Sequence, residues 1–325
     1  MKKYTVTRYV KEHENRWNSF IGTAKNATFL FHRDFMEYHA VRFADFSLVV
    51  FEKNEVVAVL PANLLDDTLH SHQGLTYGGF VFQTDIKLGE ALQIISEALE
   101  YLDHNHIKFL RLKVIPMIYN SFSSDEILYA LFLLKADLYR RDSLSVVDLQ
   151  KPFRLSKDRV KCALRGSKNN LQIREENNFE QFWAEILIPN MSKKHNATPV
   201  HTAAEIKRLQ LLFPDNIRHF NVYIENKLIA GTTIFVTDQV AHPQYISGNE
   251  YKNETGSLDY LYSHLIKEIF NDKQFFDLGP SNEQNGQKIN EGMLFWKESF
   301  GAKTVVQDFY ELKTANFGAL KSVML

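Results

Sequence analysis

The feature that most constrains this chain is that one order of elements is written twice along it. Strands and helices separate by period, two residues against 3.6. The first half predicts a strand at 4–10 and helices at 12–26 (Trp17, Phe20 and Ile21 at helical spacing) and 32–43. Strands at 47–52 and 56–60 flank the polar turn Lys53-Asn54-Glu55, which reads as a hairpin. A glycine-containing strand at 75–83, an amphipathic helix at 88–104 (Leu92, Ile95, Leu99, Leu102), a strand at 109–115, a helix at 125–135 and a strand at 143–149 complete the half. The second half predicts a strand at 171–176 and helices at 179–194 (Phe182, Ile186, Met191) and 201–213. Strands at 217–225 and 228–236 flank Asn226-Lys227, and a strand at 240–247 contains Pro243. A helix at 258–270, a strand at 275–278, a helix at 290–300 and a strand at 304–312 follow. Residue identity between the halves is slight, so the repeat is one of element types and lengths.

A chain of 325 residues is too long for one ordinary core. The expectation is two mixed α/β domains of the same topology, 1–150 and 171–325, each with a central mixed sheet flanked by helices. They are joined by a basic linker helix at 151–170. That linker, from Lys151 to Asn170, holds seven Lys or Arg residues and one acid. It reads either as a surface linker or as a basic wall beside a cleft that takes a phosphorylated or nucleotide-linked substrate.

Composition narrows the function classes. With 45% apolar and 24% charged residues, the chain reads as a globular protein. A net charge of -1 supplies no global field toward DNA or anionic lipid. Cys162 is the only cysteine, which excludes an internal disulfide and fits a reducing, cytoplasmic setting. The segment MKKYTVTRYVKEHENRW lacks the apolar run of a signal peptide, and no stretch approaches a membrane span. His70 with His72, and His195 with His201, lack the spacing of a zinc site, so no metal is expected. Walker, Rossmann and Gly-x-Ser-x-Gly patterns are missing.

The run FFDLGPSNEQNGQKINEGMLFWKESFGAKTVVQDFYEL resembles the end of the FemAB-like group of GNAT acyltransferases. The shared pattern is Asp277-Leu278-Gly279, a polar loop, then Lys297 before Phe300-Gly301. PVHTAAEIKRLQLLFPDNI with IAGTTIF is similar to an earlier part of the same domain, and LPANLLDDTLHSHQGLTYGG to a bacterial branch associated with surface polysaccharide and sugar modification. The resemblance covers nearly the whole chain and implies two tandem GNAT domains that move an acyl group onto an amine. It implies acyl-CoA, such as acetyl-CoA, as donor and an amino sugar or nucleotide-linked sugar as acceptor. Fem relatives instead take aminoacyl-tRNA to a cell-wall precursor. The missing helical-hairpin insertion and the near-neutral charge make that alternative weaker here. A catalytically silent tandem protein that only binds a glycan precursor is the third reading.

Acyl transfer needs a deprotonated amine, a positioned carbonyl and hydrogen-bond donors for the oxyanion. The resemblance implies that the donor pyrophosphate meets the N-terminus of a crossover helix, where free N–H groups and the dipole favour anions. The corresponding residues are Asn253, Thr255, Gly256, Ser257 and Leu258, although Ser257 is equally an ordinary helix cap. Asp277, at the end of a predicted parallel strand, and Glu283, in the loop beyond it, are candidate bases or amine holders. Tyr245 and His242, on the strand expected to splay, are candidate proton donors or bases, with His242 ranked below Asp277. Lys297 carries the role that the resemblance implies, beside the reacting carbonyl. Pro243 reads as a bulge or a strand end. Ser71, His72, Thr76, Tyr77 and Gly78 form a candidate acceptor wall, or a glycine-rich turn packed inside the first half.

Overall fold

A computed structural model describes residues 3–195 and 197–323, without the side chains of Lys194 and His195. His195 of the histidine pair considered above therefore lies outside the described side chains. The chain forms two compact units, one of Met1–Asp142 with Val306–Leu325 and one of Ser143–Val305.

In the first unit, Tyr4–Arg8, Leu48–Glu52, Glu55–Leu60 and Val81–Phe82 form an antiparallel sheet. A second group starts with the hairpin Asn63–Leu65 and Thr68–His70, which sequence periodicity did not reveal. Thr68–His70 runs parallel to Phe109–Lys113. The helix Leu88–His104 buries Leu92, Ile95, Leu99 and Leu102, as their spacing requires, against Leu48, Val50 and Leu60. The strand expected at 75–83 survives only as Val81–Phe82, because Gly79 takes φ +113°, a conformation that breaks a strand. The helix expected at 32–43 is a single α-turn, Arg33–Met36, followed by a 3₁₀ turn.

The second unit holds the antiparallel strands Gln172–Glu175, Ile217–Ile224, Lys227–Val236 and Val240–Gly248. The crossover helix Ser257–His264, prolonged by the π-helical turn Leu265–Ile269, leads to Phe275–Pro280, parallel to Val240–Gly248. Leu261, Tyr262, Leu265 and Phe270 of this helix pack on Phe220, Val222, Ile234 and Phe276. The helix expected at 179–194 is Phe179–Phe182, a π turn Trp183–Leu187 and Ile188–His195.

The unit boundaries fall inside two strands and differ from a simple split of the sequence. Ser143–Asp148 closes the second unit, antiparallel to Phe275–Pro280, from Phe275↔Asp148 to Pro280↔Leu144. The last strand, from Val306 onward, belongs to the first unit, where Phe309↔Lys113 to Lys313↔Phe109 pair it with Phe109–Lys113. Backbone pairing decides this allocation, and local sequence carries no record of the partner strand.

The linker is the helix Lys157–Lys168, capped by Ser156, whose Oγ accepts from the N–H of Arg159. It lies directly on the crossover helix of the second unit. Gly166 allows its backbone to approach Tyr260, and Gly256 faces the carbonyl oxygen of Cys162. Arg159 ion-pairs with Asp259, which also accepts from Trp296 Nε1 at 2.8 Å.

Gly256 has φ +69°, and a Cβ there would collide with the Cys162 carbonyl. Gly256→Val should therefore cost stability on the order of 2–4 kcal/mol, from αL strain plus overpacking. Gly292, in the first turn of the helix Glu291–Glu298, is the contrast, since a Cβ there would meet only Asn290 Oδ1 at an ordinary 3.8 Å. Gly292→Ala should stabilise by about 0.5–1 kcal/mol. Denaturant titration of the two variants checks both signs.

Candidate active site

Two parallel strands of the second unit part company after two residues. Val240–Gly248 and Phe275–Pro280 pair only as Val240↔Phe275 and Ala241↔Phe276. The next residues along each strand are His242 and Asp277. Sequence explains the parting on both sides. Pro243 has no N–H to continue a ladder. Opposite Lys227–Val236 the register jumps from Thr233↔Tyr245 to Ile234↔Pro243, leaving Gln244 as the extra residue of a β-bulge. On the other strand Gly279 takes φ +73° and turns the chain. The bulge anticipated at Pro243 is present.

His242 and Asp277 meet at this fork. His242 Nδ1 lies 3.0 Å from the carbonyl oxygen of Asp277 and 3.3 Å from its Oδ2. A carbonyl oxygen only accepts, so Nδ1 carries the proton and Nε2 presents a lone pair when the ring is neutral. Asp277 is 1% exposed, and its Oδ1 accepts the N–H of Gly279 at 2.8 Å. The carboxylate is thus buried and committed to orienting its neighbours, while the His242 side chain keeps 14% of its surface open.

Lys297 arrives from the helix Glu291–Glu298, whose first turn is capped by Asn290. Its Nζ donates to the carbonyls of Gly279 at 3.1 Å and Pro280 at 2.6 Å. Burial lowers its pKa to about 8, against the opposing pull of the Asp277 charge. His242, Asp277 and Lys297 therefore converge on residues 277–280 from two strands and one helix.

The remaining predicted residues lie elsewhere. Glu283 is exposed on the small hairpin Asn282–Glu283 with Lys288–Ile289, accepting from Asn290 Nδ2. Tyr245 is buried against Trp183, its hydroxyl 2.6 Å from His201 Nδ1 and accepting the His201 N–H at 3.0 Å. At the loop before the crossover helix, Asn253 and Thr255 give their carbonyls to Arg165 and Asn169 of the linker segment. Gly256 lies under Cys162, Ser257 is fully buried and Leu258 packs on the core. The linker helix already lies across that loop.

In the first unit the equivalent parallel pair stays closed. Ser71 donates its N–H to the Arg111 carbonyl and accepts the Lys113 N–H on Oγ, both at 2.9 Å. Gly78 N–H donates to the Lys113 carbonyl at 2.6 Å, and a Cβ at Gly78 would collide with Ser71. His72 stacks on His39 at 4.7 Å, and burial holds its imidazole pKa down at about 3. Tyr77 donates to Thr28 Oγ1 at 3.2 Å, and the Thr76 carbonyl accepts from Gln307. These five residues form a packed turn.

A polar group that sequence reasoning passed over lies inside the second unit. His219 is 1% exposed, with Nδ1 2.9 Å from Thr233 Oγ1 and Nε2 3.1 Å from Asn221 Oδ1. Asn221 Nδ2 and the Tyr223 hydroxyl both donate to Glu176. Desolvation lowers the His219 pKa to about 4. The signal was available, since His219, Asn221 and Tyr223 alternate on one face of a strand otherwise read as apolar.

No family model matches the sequence, and no curated protein is similar to it. Solved structures are similar in fold. FemX superposes with a TM-score of 0.66 at 9% identity, over 94% of this chain and 96% of that one. A tandem GNAT protein from the clavulanic acid biosynthesis pathway gives 0.55 at 12%, over 96% and 99%. The C-terminal domain of a putative lysylphosphatidylglycerol synthetase from Agrobacterium fabrum gives 0.53 at 13%, over 82% and 84%. Similarity over nearly the full length of the first two gives the conclusion that this chain has the tandem GNAT, FemAB-like fold.

Proposed function

We propose that the chain is an N-acyltransferase that works at the fork between Val240–Gly248 and Phe275–Pro280. The observation that supports this reading most is the His242–Asp277 pair at the fork, with the histidine tautomer set by a backbone carbonyl. The acceptor amine attacks the acyl carbonyl, forming the C–N bond. His242 Nε2 takes the proton that the amine loses. The tetrahedral oxyanion collapses, the bond to the leaving group breaks, and the imidazolium returns the proton to the departing thiolate or alkoxide. Asp277 orients His242 and balances its transient charge. Lys297, cationic below its lowered pKa, stabilises the negative oxygen by its field while holding the turn at Gly279 and Pro280.

For the donor we favour acyl-CoA, with its thioester in the fork and its pyrophosphate near Thr255–Leu258. For the acceptor we favour an amino sugar or nucleotide-linked sugar of surface-glycan synthesis, in a cytoplasmic setting. The linker helix across Gly256 supports a second reading, an aminoacyl group esterified to tRNA, which needs no pyrophosphate cradle. Calorimetry with acetyl-CoA and with aminoacyl-tRNA separates the two. Heat from neither, together with no thiol release from acetyl-CoA over a panel of amino sugars, overturns the acyltransferase reading.

With a turning-over substrate pair, His242→Gln should lower kcat by about 10²–10⁴ and leave the melting temperature unchanged. Asp277→Asn should lower kcat less, by about tenfold, because the carbonyl of residue 277 still holds Nδ1.

A pH profile tests Lys297 separately. Its cationic form is lost as pH rises through about 8, so kcat should fall there. Lys297→Met should lower kcat at neutral pH and remove that alkaline limb. An unchanged limb would assign the titration to another group.

A further inference from the structure

The outer side of the linker helix combines lysines with exposed aliphatic residues. Along Lys157–Lys168, Lys157, Val160, Lys161, Leu164 and Lys168 are all exposed and fall on one stripe at the 3.6-residue period. Val160 and Leu164 are 41% and 57% exposed. Arg159 and Arg165 point the other way in effect, engaged with Asp259 and with the Asn253 carbonyl. Asp158 is the helix's single acid.

Beside this stripe lies a groove of about 370 Å³ between the linker and crossover helices. Leu155, Val160, Ala163 and Leu164 line it with Tyr260, as do Lys267 and the His264–Glu268 pair. Ser263 also lines it, 9% exposed, and its buried Oγ has no hydrogen-bond partner among the described residues.

We infer that this face docks on an anionic lipid surface. Lysines flanking exposed Val and Leu on one helix stripe form the pattern of an interfacial helix, apolar residues among acyl chains and ammonium groups at headgroup phosphates. The groove accepts part of one lipid chain. A nucleic acid fits less well, because the stripe offers aliphatic residues where bases need stacking partners. The whole-chain charge of -1 hides this face, since it averages the linker with acidic residues elsewhere. The inference is independent of the acyltransferase reading, because no residue of the stripe belongs to the fork.

The test is co-sedimentation of the full chain with phosphatidylcholine vesicles, with and without phosphatidylglycerol, at low and high salt. Binding should require phosphatidylglycerol and weaken with salt. The triple variant Lys157→Glu, Lys161→Glu, Lys168→Glu should lose affinity on the order of a hundredfold. Leu164→Asp should lose about tenfold. All four positions are exposed, and an unchanged melting temperature verifies the fold. Equal binding to both vesicle types, or none, overturns the inference. So does competition by soluble glycerol 3-phosphate, which would mean headgroup recognition alone. Tighter binding to a short RNA duplex, lost in the same triple variant, overturns it in favour of a nucleic acid.

Discussion

The chemistry proposed for this protein depends on where two parallel strands stop pairing. A continuous ladder between Val240–Gly248 and Phe275–Pro280 would bury His242 and Asp277 in a sheet with no access to a substrate. Proline with a bulge beside it on one strand and a left-handed glycine on the other end the ladder after two residues. The freed polar groups are then satisfied by side chains. His242 bonds the carbonyl of Asp277, and Lys297 bonds those of Gly279 and Pro280. Opening the sheet and building a set of reactive groups are one event here, because backbone acceptors released from the ladder recruit the side chains that gather there.

The first unit shows the opposite outcome from a similar start. Its parallel pair is sealed by the Ser71 hydroxyl and by Gly78, which brings its N–H onto the Lys113 carbonyl. Gly78 there allows the close packing of its backbone against Ser71. Glycine in a strand therefore has two uses, and the neighbouring side chain decides between them. Serine reaches back to the ladder and closes it, whereas proline cannot join it and opens it.

Much of the candidate site is visible in the sequence as separate pieces. Polar residues at a strand end, a proline inside a strand and a lysine before Phe-Gly all single out His242, Asp277 and Lys297. Their division of labour is not visible. Asp277 reads as the better base until its burial and its bond to the Gly279 N–H are known. Gly256 is legible as a glycine at the start of a helix, but the Cys162 carbonyl that packs against it is not. Ser71, His72, Thr76, Tyr77 and Gly78 read as a binding wall or a packed turn, and their bonds to Arg111, Lys113 and Gln307 are not legible in sequence. In the last two cases the contacting atom belongs to a residue remote in sequence.

The sequence alone determined the mixed α/β architecture, the doubled element order and the positions of most helices and strands. These follow from period and turn chemistry, which act over a few residues and are written locally. Only the tertiary structure decided which strands are neighbours. The last strand joins the first unit and Ser143–Asp148 joins the second. It also decided which parallel pair opens, and that the linker helix covers one side of the crossover helix while presenting lysines on the other. The physical reason is that backbone hydrogen bonds and close packing have no preference for sequence proximity, so local pattern carries no trace of the partner.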